Sequence, residues 1–125
     1  INNSSNGACM NLYFGHSNHK VTIKDVKFTS CSAELGSGGA LYVDFAPTSI
    51  DLQLSGCTFK SNFAEVSGAA IYLTSSLNLS KNSFIDTCTF NNNISKSKAI
   101  LFLALNSSIV LSNLSFTGNS GGLCL

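Results

Sequence analysis

The sequence predicts an all-β fold, a right-handed single-stranded parallel β-helix of about four coils with three short strands per coil. Two landmarks recur together along the 125 residues. The first is a phenylalanine at offsets of 31, 31 and 26 residues: Phe28, Phe59, Phe90 and Phe116. The second is a small residue at offsets of 31, 30, 29 and 23 residues: Cys9, Ala40, Ala70, Ala99 and Gly122. Repeats of about 20–50 residues indicate stacked structural units, and the apolar residues alternate without a helical period.

The first two strands of each repeat are predicted from a break in this alternation. Residues 21–28 carry apolar residues on alternate positions, but the phase changes at Lys24-Asp25. Such a break predicts two short strands joined by a bend. The equivalent bends are Ser55-Gly56, Asp86-Thr87 and Ser112-Asn113. Ser83 is the single polar residue at a position that is otherwise apolar.

The third strand follows a polar corner and a pair of small residues, as in Gly38-Gly39-Ala40-Leu41. Small residues let the backbone turn or approach its neighbour closely. Side chains at equivalent inward positions are predicted to stack on one another. The predicted core stacks are Phe28/Phe59/Phe90/Phe116, Val26/Cys57/Cys88/Leu114 and Leu41/Ile71/Ile100/Leu123.

The polar corner after each phenylalanine carries Asn62, Asn93 and Asn119 at one equivalent site, with Cys31 in the first repeat. Asparagine tolerates left-handed backbone, which suits a sharp corner. Stacked asparagines can also bond one another along a ladder.

An antiparallel sandwich of short strands is the competing architecture. It does not require like residues to recur at one spacing of about 30 residues, so the β-helix is favoured. The chain is expected to form one domain, residues 1–125, in which residues 1–8 are an N-terminal arm or continue a preceding coil.

Composition excludes several function classes. Only 10% of the residues are charged, the net charge is +1 and there is no arginine. No basic face is therefore expected for nucleic acid. The longest apolar run, residues 99–105, is far too short to span a bilayer.

Two short motifs carry a family resemblance. Phe-x-x-Asn occurs at Phe59, Phe90 and Phe116, and Gly-Gly-Ala-Leu/Ile occurs at Gly38 and nearly so at Gly68. This combination resembles the repeats of chlamydial polymorphic outer membrane proteins and of similar large surface proteins. The first corner and Ser97-Lys98-Ala99-Ile100 depart from the pattern. The resemblance implies a secreted, adhesive or structural β-helix.

Six N-x-S/T sequons are the candidate glycosylation sites: Asn2, Asn3, Asn78, Asn93, Asn106 and Asn113. A glycan requires an exposed asparagine, and none of the six falls on a predicted inward position. The alternative is that these asparagines belong to Asn/Ser-rich corners and carry no sugar.

Cys57 and Cys88 occupy one inward position in successive coils, so the sequence predicts either stacked buried thiols or a disulfide between coils. Cys9 and Cys31 lie in the first coil and can pair or stay free. No Cys/His cluster with zinc spacing is present, so no metal and no cofactor are expected.

Catalysis is not expected. His16 and His19 are expected to be polar corner residues. Asp25, Asp44, Asp51 and Asp86 are not expected to cluster on one face of the β-helix. The alternative function is a carbohydrate-binding or polysaccharide-cleaving module, which predicts an open groove beside Tyr42, Tyr72 and acidic groups. An ice-binding face is disfavoured because Lys27 and Ser115 interrupt the threonine column.

The function expected from the sequence is that of a non-catalytic extracellular or cell-surface protein. Its role is structural or adhesive, and it is glycosylated. Repeat proteins normally cap their ends, and no amphipathic or charged cap is visible. The expected partners are therefore other copies of the chain or flanking coils at the open ends, as a fibre protomer or as a segment of a longer surface β-helix. Glycans are further candidate partners.

Overall fold

The computed structural model describes residues 9–12, 19–43, 50–73, 80, 82–103 and 109–124. These residues form short β-strands, and no helix occurs among them. The strands are β1 (Met10–Leu12), β2 (His19–Lys24), β3 (Lys27–Thr29), β4 (Ser32–Ala33), β5 (Leu41–Val43), β6 (Ile50–Ser55), β7 (Thr58–Lys60), β8 (Phe63–Ala64), β9 (Ile71–Leu73), β10 (Phe84–Asp86), β11 (Thr89–Asn91), β12 (Ile94–Leu103), β13 (Val110–Ser112), β14 (Ser115–Thr117) and β15 (Ser120–Cys124).

The strands are arranged in three sheets, and every pairing among the described strands is parallel. Sheet 1 has the order β13-β10-β6-β2, and sheet 2 has the order β14-β11-β7-β3. Sheet 3 has the order β1-β5-β9-β12-β8-β4, with β15 also paired to β12. The all-β class is confirmed, and parallel strands in stacked sheets are consistent with a parallel β-helix. The antiparallel alternative does not describe these strands.

The bends between sheets 1 and 2 are left-handed turns, as the phase breaks predict. Asp25, Gly56, Thr87 and Asn113 have φ values of 56, 63, 52 and 53°. A single residue in this left-handed region turns the chain sharply from one sheet to the next. Glycine adopts it without steric cost, and Asp and Asn adopt it more readily than other residues.

The corner after sheet 2 differs in one respect from the sequence prediction. Its left-handed residue is not the stacked asparagine but the residue before it: Ser30, Ser61, Asn92 and Gly118 have φ values of 56, 57, 54 and 65°. The asparagine that follows points inward instead. Asn62 and Asn93 are only 1% and 0% exposed.

The buried asparagines form a ladder between repeats. The side-chain amide of Asn93 donates to the carbonyl of Phe59 (3.0 Å) and to Oδ1 of Asn119 (3.0 Å). Its own Oδ1 accepts from the backbone N–H (3.0 Å) and the side-chain amide (2.9 Å) of Asn62. Asn62 and Asn119 donate in the same way to the carbonyls of Phe28 and Phe90. The ladder therefore satisfies buried backbone groups that the corner removes from the sheets.

The phenylalanines form one column at the centre of the molecule. Successive ring centroids, from Phe28 to Phe116, are 4.9, 5.0 and 4.7 Å apart, and the rings are nearly parallel. Phe59 and Phe90 are completely buried, whereas Phe116 is 42% exposed because β14 is the outermost strand of sheet 2.

In the third predicted core stack, Leu41, Ile71 and Ile100 are all buried, as predicted, but the backbone register shifts in the third repeat. Ile71 pairs with Leu101, not with Ile100, and β12 changes register between Ile94 and Ala99 and again between Ala99 and Leu101. A bulge of this kind inserts a residue into one strand. It falls at the Ser97-Lys98 segment, where the small-residue motif is interrupted.

The structure decides which cysteines are paired and which are free, which the sequence left open. Cys9 and Cys31 form a disulfide within the first repeat. Cys57 and Cys88 are free and buried, so the stacked-thiol alternative describes them and the disulfide alternative does not. Among the described residues there is no helix long and apolar enough to cross a membrane.

Candidate functional site

The outer face of sheet 1 carries an open groove with a volume of about 670 Å³. Its position follows from unequal strand lengths. β2 and β6 are six residues long, whereas β10 and β13 are three residues long. The sheet therefore narrows in the third and fourth repeats. The groove is lined by Lys20, Asp51, Gln53, Asn82, Ser83, Phe84, Asp86, Val110 and Ser112.

Ser80, Asn82 and Ser83 lie where β10 would otherwise continue. Ser83 donates its backbone N–H to the carbonyl of Ser80 (3.1 Å). Its buried hydroxyl oxygen accepts the backbone N–H of Leu52 (3.1 Å). The hydroxyl of Ser83 therefore takes the place of the backbone carbonyl that a longer β10 would offer to Leu52. In the sequence, the sign of this arrangement is Ser83 itself, a polar residue at an otherwise apolar position.

The polar side chains of the groove are held by hydrogen bonds. Asp51 is bonded to the hydroxyl of Ser80, which also accepts the backbone N–H of Asn82 (3.2 Å). The side-chain amide of Gln53 donates to the carbonyl of Asn82 (3.1 Å). These bonds link the strand β6 to Ser80 and Asn82.

Asp86 is held independently at the other end of the groove. Its Oδ1 accepts the hydroxyl of Ser112 (2.6 Å) and the side-chain amide of Asn113 (3.0 Å). Both donors favour the ionised carboxylate. The hydrogen bond from Ser112 first, and then that from Asn113, lower the pKa of Asp86.

The two carboxylates of the groove lie too far apart to cleave a glycosidic bond together. Asp86 pairs with Ser55, which is four residues beyond Asp51 on β6. Four strand residues span about 13 Å. Glycosidase carboxylates are separated by about 5–9.5 Å, so Asp51 and Asp86 do not form such a pair.

The tyrosines expected beside a groove lie on another face. Tyr42 and Tyr72 belong to β5 and β9 of sheet 3, where their rings stack with centroids 5.1 Å apart. The groove of sheet 1 contains Phe84 instead. Its half-buried ring stands on β10, where the paired residues Gln53 and Val110 are of other types, so no repeat in the sequence marks this position.

The two sequon asparagines among the described residues, Asn93 and Asn113, differ in exposure. Asn113 is exposed, and its amide nitrogen, bonded once to Asp86, retains a second hydrogen. The predicted glycosylation site at Asn93 is wrong. Asn93 is 0% exposed, and both its amide oxygen and its amide nitrogen form hydrogen bonds in the ladder. A glycan on Asn93 is incompatible with this fold. Asn2, Asn3, Asn78 and Asn106 lie outside the described residues.

The buried thiols of Cys57 and Cys88 interact with each other. The hydrogen bond from Cys88 lowers the pKa of Cys57, against the effect of burial. The same hydrogen bond, together with burial, raises the pKa of Cys88. Neither thiol is exposed, since both side chains are 1% accessible, so the pair serves the core stack.

The remaining candidates are not gathered into a site. His16 and Asp44 lie outside the described residues, His19 begins β2, and Asp25 lies at the first bend. Within the described ranges, no group of three or more His, Cys, Asp or Glu residues is placed to hold a metal ion.

No family model, curated protein or solved structure matches this chain.

Proposed function

We propose that this chain is a non-catalytic extracellular or cell-surface repeat protein with a structural or adhesive role. In this proposal it forms a right-handed single-stranded parallel β-helix of about four coils with three short strands per coil. It stacks end to end, either as a fibre protomer or within a longer surface β-helix of the type that its Phe-x-x-Asn and Gly-Gly-Ala repeats resemble.

The observation that carries the proposal is the exposed outermost repeat. Phe90 is 0% exposed, but the next ring in its column, Phe116, is 42% exposed. Covering this ring with one further layer removes apolar surface from water, at about 25 cal/mol per Å². A second copy or a flanking coil can supply that layer, because the phenylalanine rings are stacked at a nearly constant spacing that a further ring can continue.

The outermost strands are also open to main-chain pairing. β13 and β14 are edge strands of sheets 1 and 2. Proteins normally block such edges with charged residues or proline. Residues 109–119 contain no Lys, Arg, Asp, Glu or Pro. The edge therefore has the composition of a surface that pairs with another strand.

Two further observations support an extracellular setting. The Cys9–Cys31 disulfide is typical of an oxidising compartment. The exposed sequon at Asn113 is available for a glycan, which would keep a surface with 10% charged residues hydrated.

Sedimentation velocity and negative-stain electron microscopy of the purified chain, from micromolar to millimolar concentration, test the proposal. We expect concentration-dependent, linear assemblies. Phe116→Lys is expected to return the protein to monomers, because it places a charge in the contact. Val66→Lys is the matched control, since Val66 is exposed (39%) but precedes β9 in the second repeat. A wild-type chain that stays monomeric throughout, or equal loss in both variants, would refute end-to-end stacking.

A further inference from the structure

We propose that the groove of sheet 1 binds a neutral oligosaccharide, with the Phe84 ring against the apolar face of a sugar and Asp51 and Gln53 at its hydroxyl groups. This inference concerns a side face of the molecule and does not depend on the end-to-end contact proposed above.

The size of the groove suits a short saccharide. Small-molecule sites occupy about 300–1,000 Å³ and combine an apolar surface with a few fixed polar groups. The groove has about 670 Å³ and combines Phe84 and Val110 with polar side chains. Because it runs across β2, β6, β10 and β13, its ligand contacts several repeats at once.

The polar groups match sugar hydroxyls, which both donate and accept hydrogen bonds. Asp51 and Asp86 are acceptors, and Lys20 is a donor. Gln53 provides both functions. Hydrogen bonds from Ser80 and Ser112 fix the two carboxylates before a ligand arrives. Such preorganisation reduces the entropy lost on binding.

Phe84 supplies the apolar part of the recognition. It pairs with Gln53 on one side and Val110 on the other, so a polar and an apolar neighbour flank the ring. The ring is half-buried and lines the groove. An aromatic ring so placed offers a flat apolar surface beside hydrogen-bonding groups.

Charge selects a neutral ligand over an acidic one. The lining contains two carboxylates, Asp51 and Asp86, against one ammonium group, Lys20. The chain has no arginine, the residue best suited to carboxylate and phosphate. A polyuronate or a nucleic acid would therefore meet net negative charge in the groove.

The test is a ¹⁵N-HSQC titration of the complete chain with neutral tetra- to hexasaccharides of glucose, mannose, galactose and N-acetylglucosamine, and with oligogalacturonate as the acidic comparison. We expect at least one neutral series to shift the amides of Gln53, Phe84 and Asp86, with oligogalacturonate bound at least about fivefold more weakly. No shift with any of these saccharides, or equal binding of the acidic one, would overturn the proposal.

Variants locate the site. Phe84→Ala is expected to weaken binding at least about fivefold, and Gln53→Ala about threefold, the latter serving if the first variant does not fold. Tyr72→Ala is the matched control, because it removes a half-buried aromatic ring from sheet 3. Loss of binding in Tyr72→Ala, with Phe84→Ala and Gln53→Ala unaffected, would place the site on the other face and overturn the assignment.

Discussion

At the scale of single residues, the corner asparagine explains why the Phe-x-x-Asn motif has its spacing. Each asparagine amide donates to the phenylalanine carbonyl of the preceding repeat, as Asn93 does to Phe59. The phenylalanine thus supplies both a ring for the column and a carbonyl for the ladder. The two residues of the motif act together between repeats rather than within one.

Replacing Asn93 by alanine tests the ladder. The change leaves the backbone N–H of Asn62 and the carbonyl of Phe59 without their side-chain partner in a buried corner. An unsatisfied buried group costs about 1–3 kcal/mol, so we expect Asn93→Ala to lower the free energy of unfolding by about 3 kcal/mol. Urea denaturation followed by circular dichroism measures this loss.

Asn119→Ala is the control for that prediction. Asn119 makes equivalent bonds, since its amide donates to the carbonyl of Phe90 (2.8 Å) and its Oδ1 accepts the backbone N–H of Asn93 (2.9 Å), but it is only half-buried and lies in the outermost repeat. Water can therefore replace its amide, and we expect a loss of about 1 kcal/mol. Equal losses of unfolding free energy in the two variants would show that burial does not determine how much the ladder stabilises the protein.

Asn93 also shows where a local motif fails. The N-x-S triplet is a pattern of three consecutive residues, whereas the burial of Asn93 comes from partners 26–34 residues away. The sequence predicted both a sequon and a ladder position for this residue. The two roles exclude each other, because the ladder uses the amide to which a sugar would be attached.

At the scale of elements, most strands are two to six residues long and are positioned by their neighbours in adjacent repeats. Phase breaks in the apolar pattern located the bends between sheets 1 and 2, because a left-handed residue reverses the side-chain alternation there. They could not locate the register shifts in β12. Those depend on how residues 97–99 fit between β9 and β15, and Ser97 and Lys98 interrupt the motif without indicating the direction of the shift.

Gly39 shows how closely two elements approach before β5. A Cβ atom added at Gly39 would lie 2.4 Å from the carbonyl oxygen of Phe63 and 2.5 Å from that of Ala69. Both obstacles are backbone atoms, so the neighbouring repeat must move. We expect Gly39→Ala to lower the free energy of unfolding by about 3 kcal/mol or more, as overpacking does.

Ala69→Gly is the control for Gly39→Ala, because Ala69 occupies the equivalent position in the second repeat. Removing this buried methyl group costs about 1 kcal/mol. Thermal denaturation of the two variants compares the effects. A change in Gly39→Ala no larger than that in Ala69→Gly would mean that the repeats are less closely packed at this corner.

At the scale of the whole molecule, the stack has two different ends. The first repeat contains the Cys9–Cys31 disulfide, and Phe28 in the same repeat is 5% exposed. In the last repeat, Phe116 is 42% exposed. In repeat proteins each unit is stabilised mainly by its neighbours, so this difference remains local.

Inward positions could be predicted from the sequence at this scale, and the groove could not. The repeat constrains side chains that stack on one another, such as those of the phenylalanine column. Outward residues such as Lys20, Asp51 and Phe84 share no repeat pattern and meet only where the sheet narrows. Their juxtaposition depends on the positions of Ser80, Asn82 and Ser83, which the repeat pattern does not distinguish from an ordinary strand end.

The different ends predict graded protection in hydrogen exchange. Backbone amides of β7 and β11, with neighbours on both sides, should exchange slowest. Amides of β13 and β14 should exchange fastest, and those of β3 should be intermediate. Replacing Cys9 and Cys31 by serine removes a cross-link over a sequence separation of 22 residues. A loop of this length contributes about 3 kcal/mol.

We therefore expect the double serine variant to lose protection selectively at β3, while β13 and β14 keep their rates. The measurement is hydrogen exchange followed by mass spectrometry of peptides from each repeat. Reduction of the wild-type disulfide should give the same pattern, which separates loss of the cross-link from an effect of the serines. Equal loss of protection in all repeats would mean that the stack unfolds as one cooperative unit and that the disulfide stabilises the molecule as a whole.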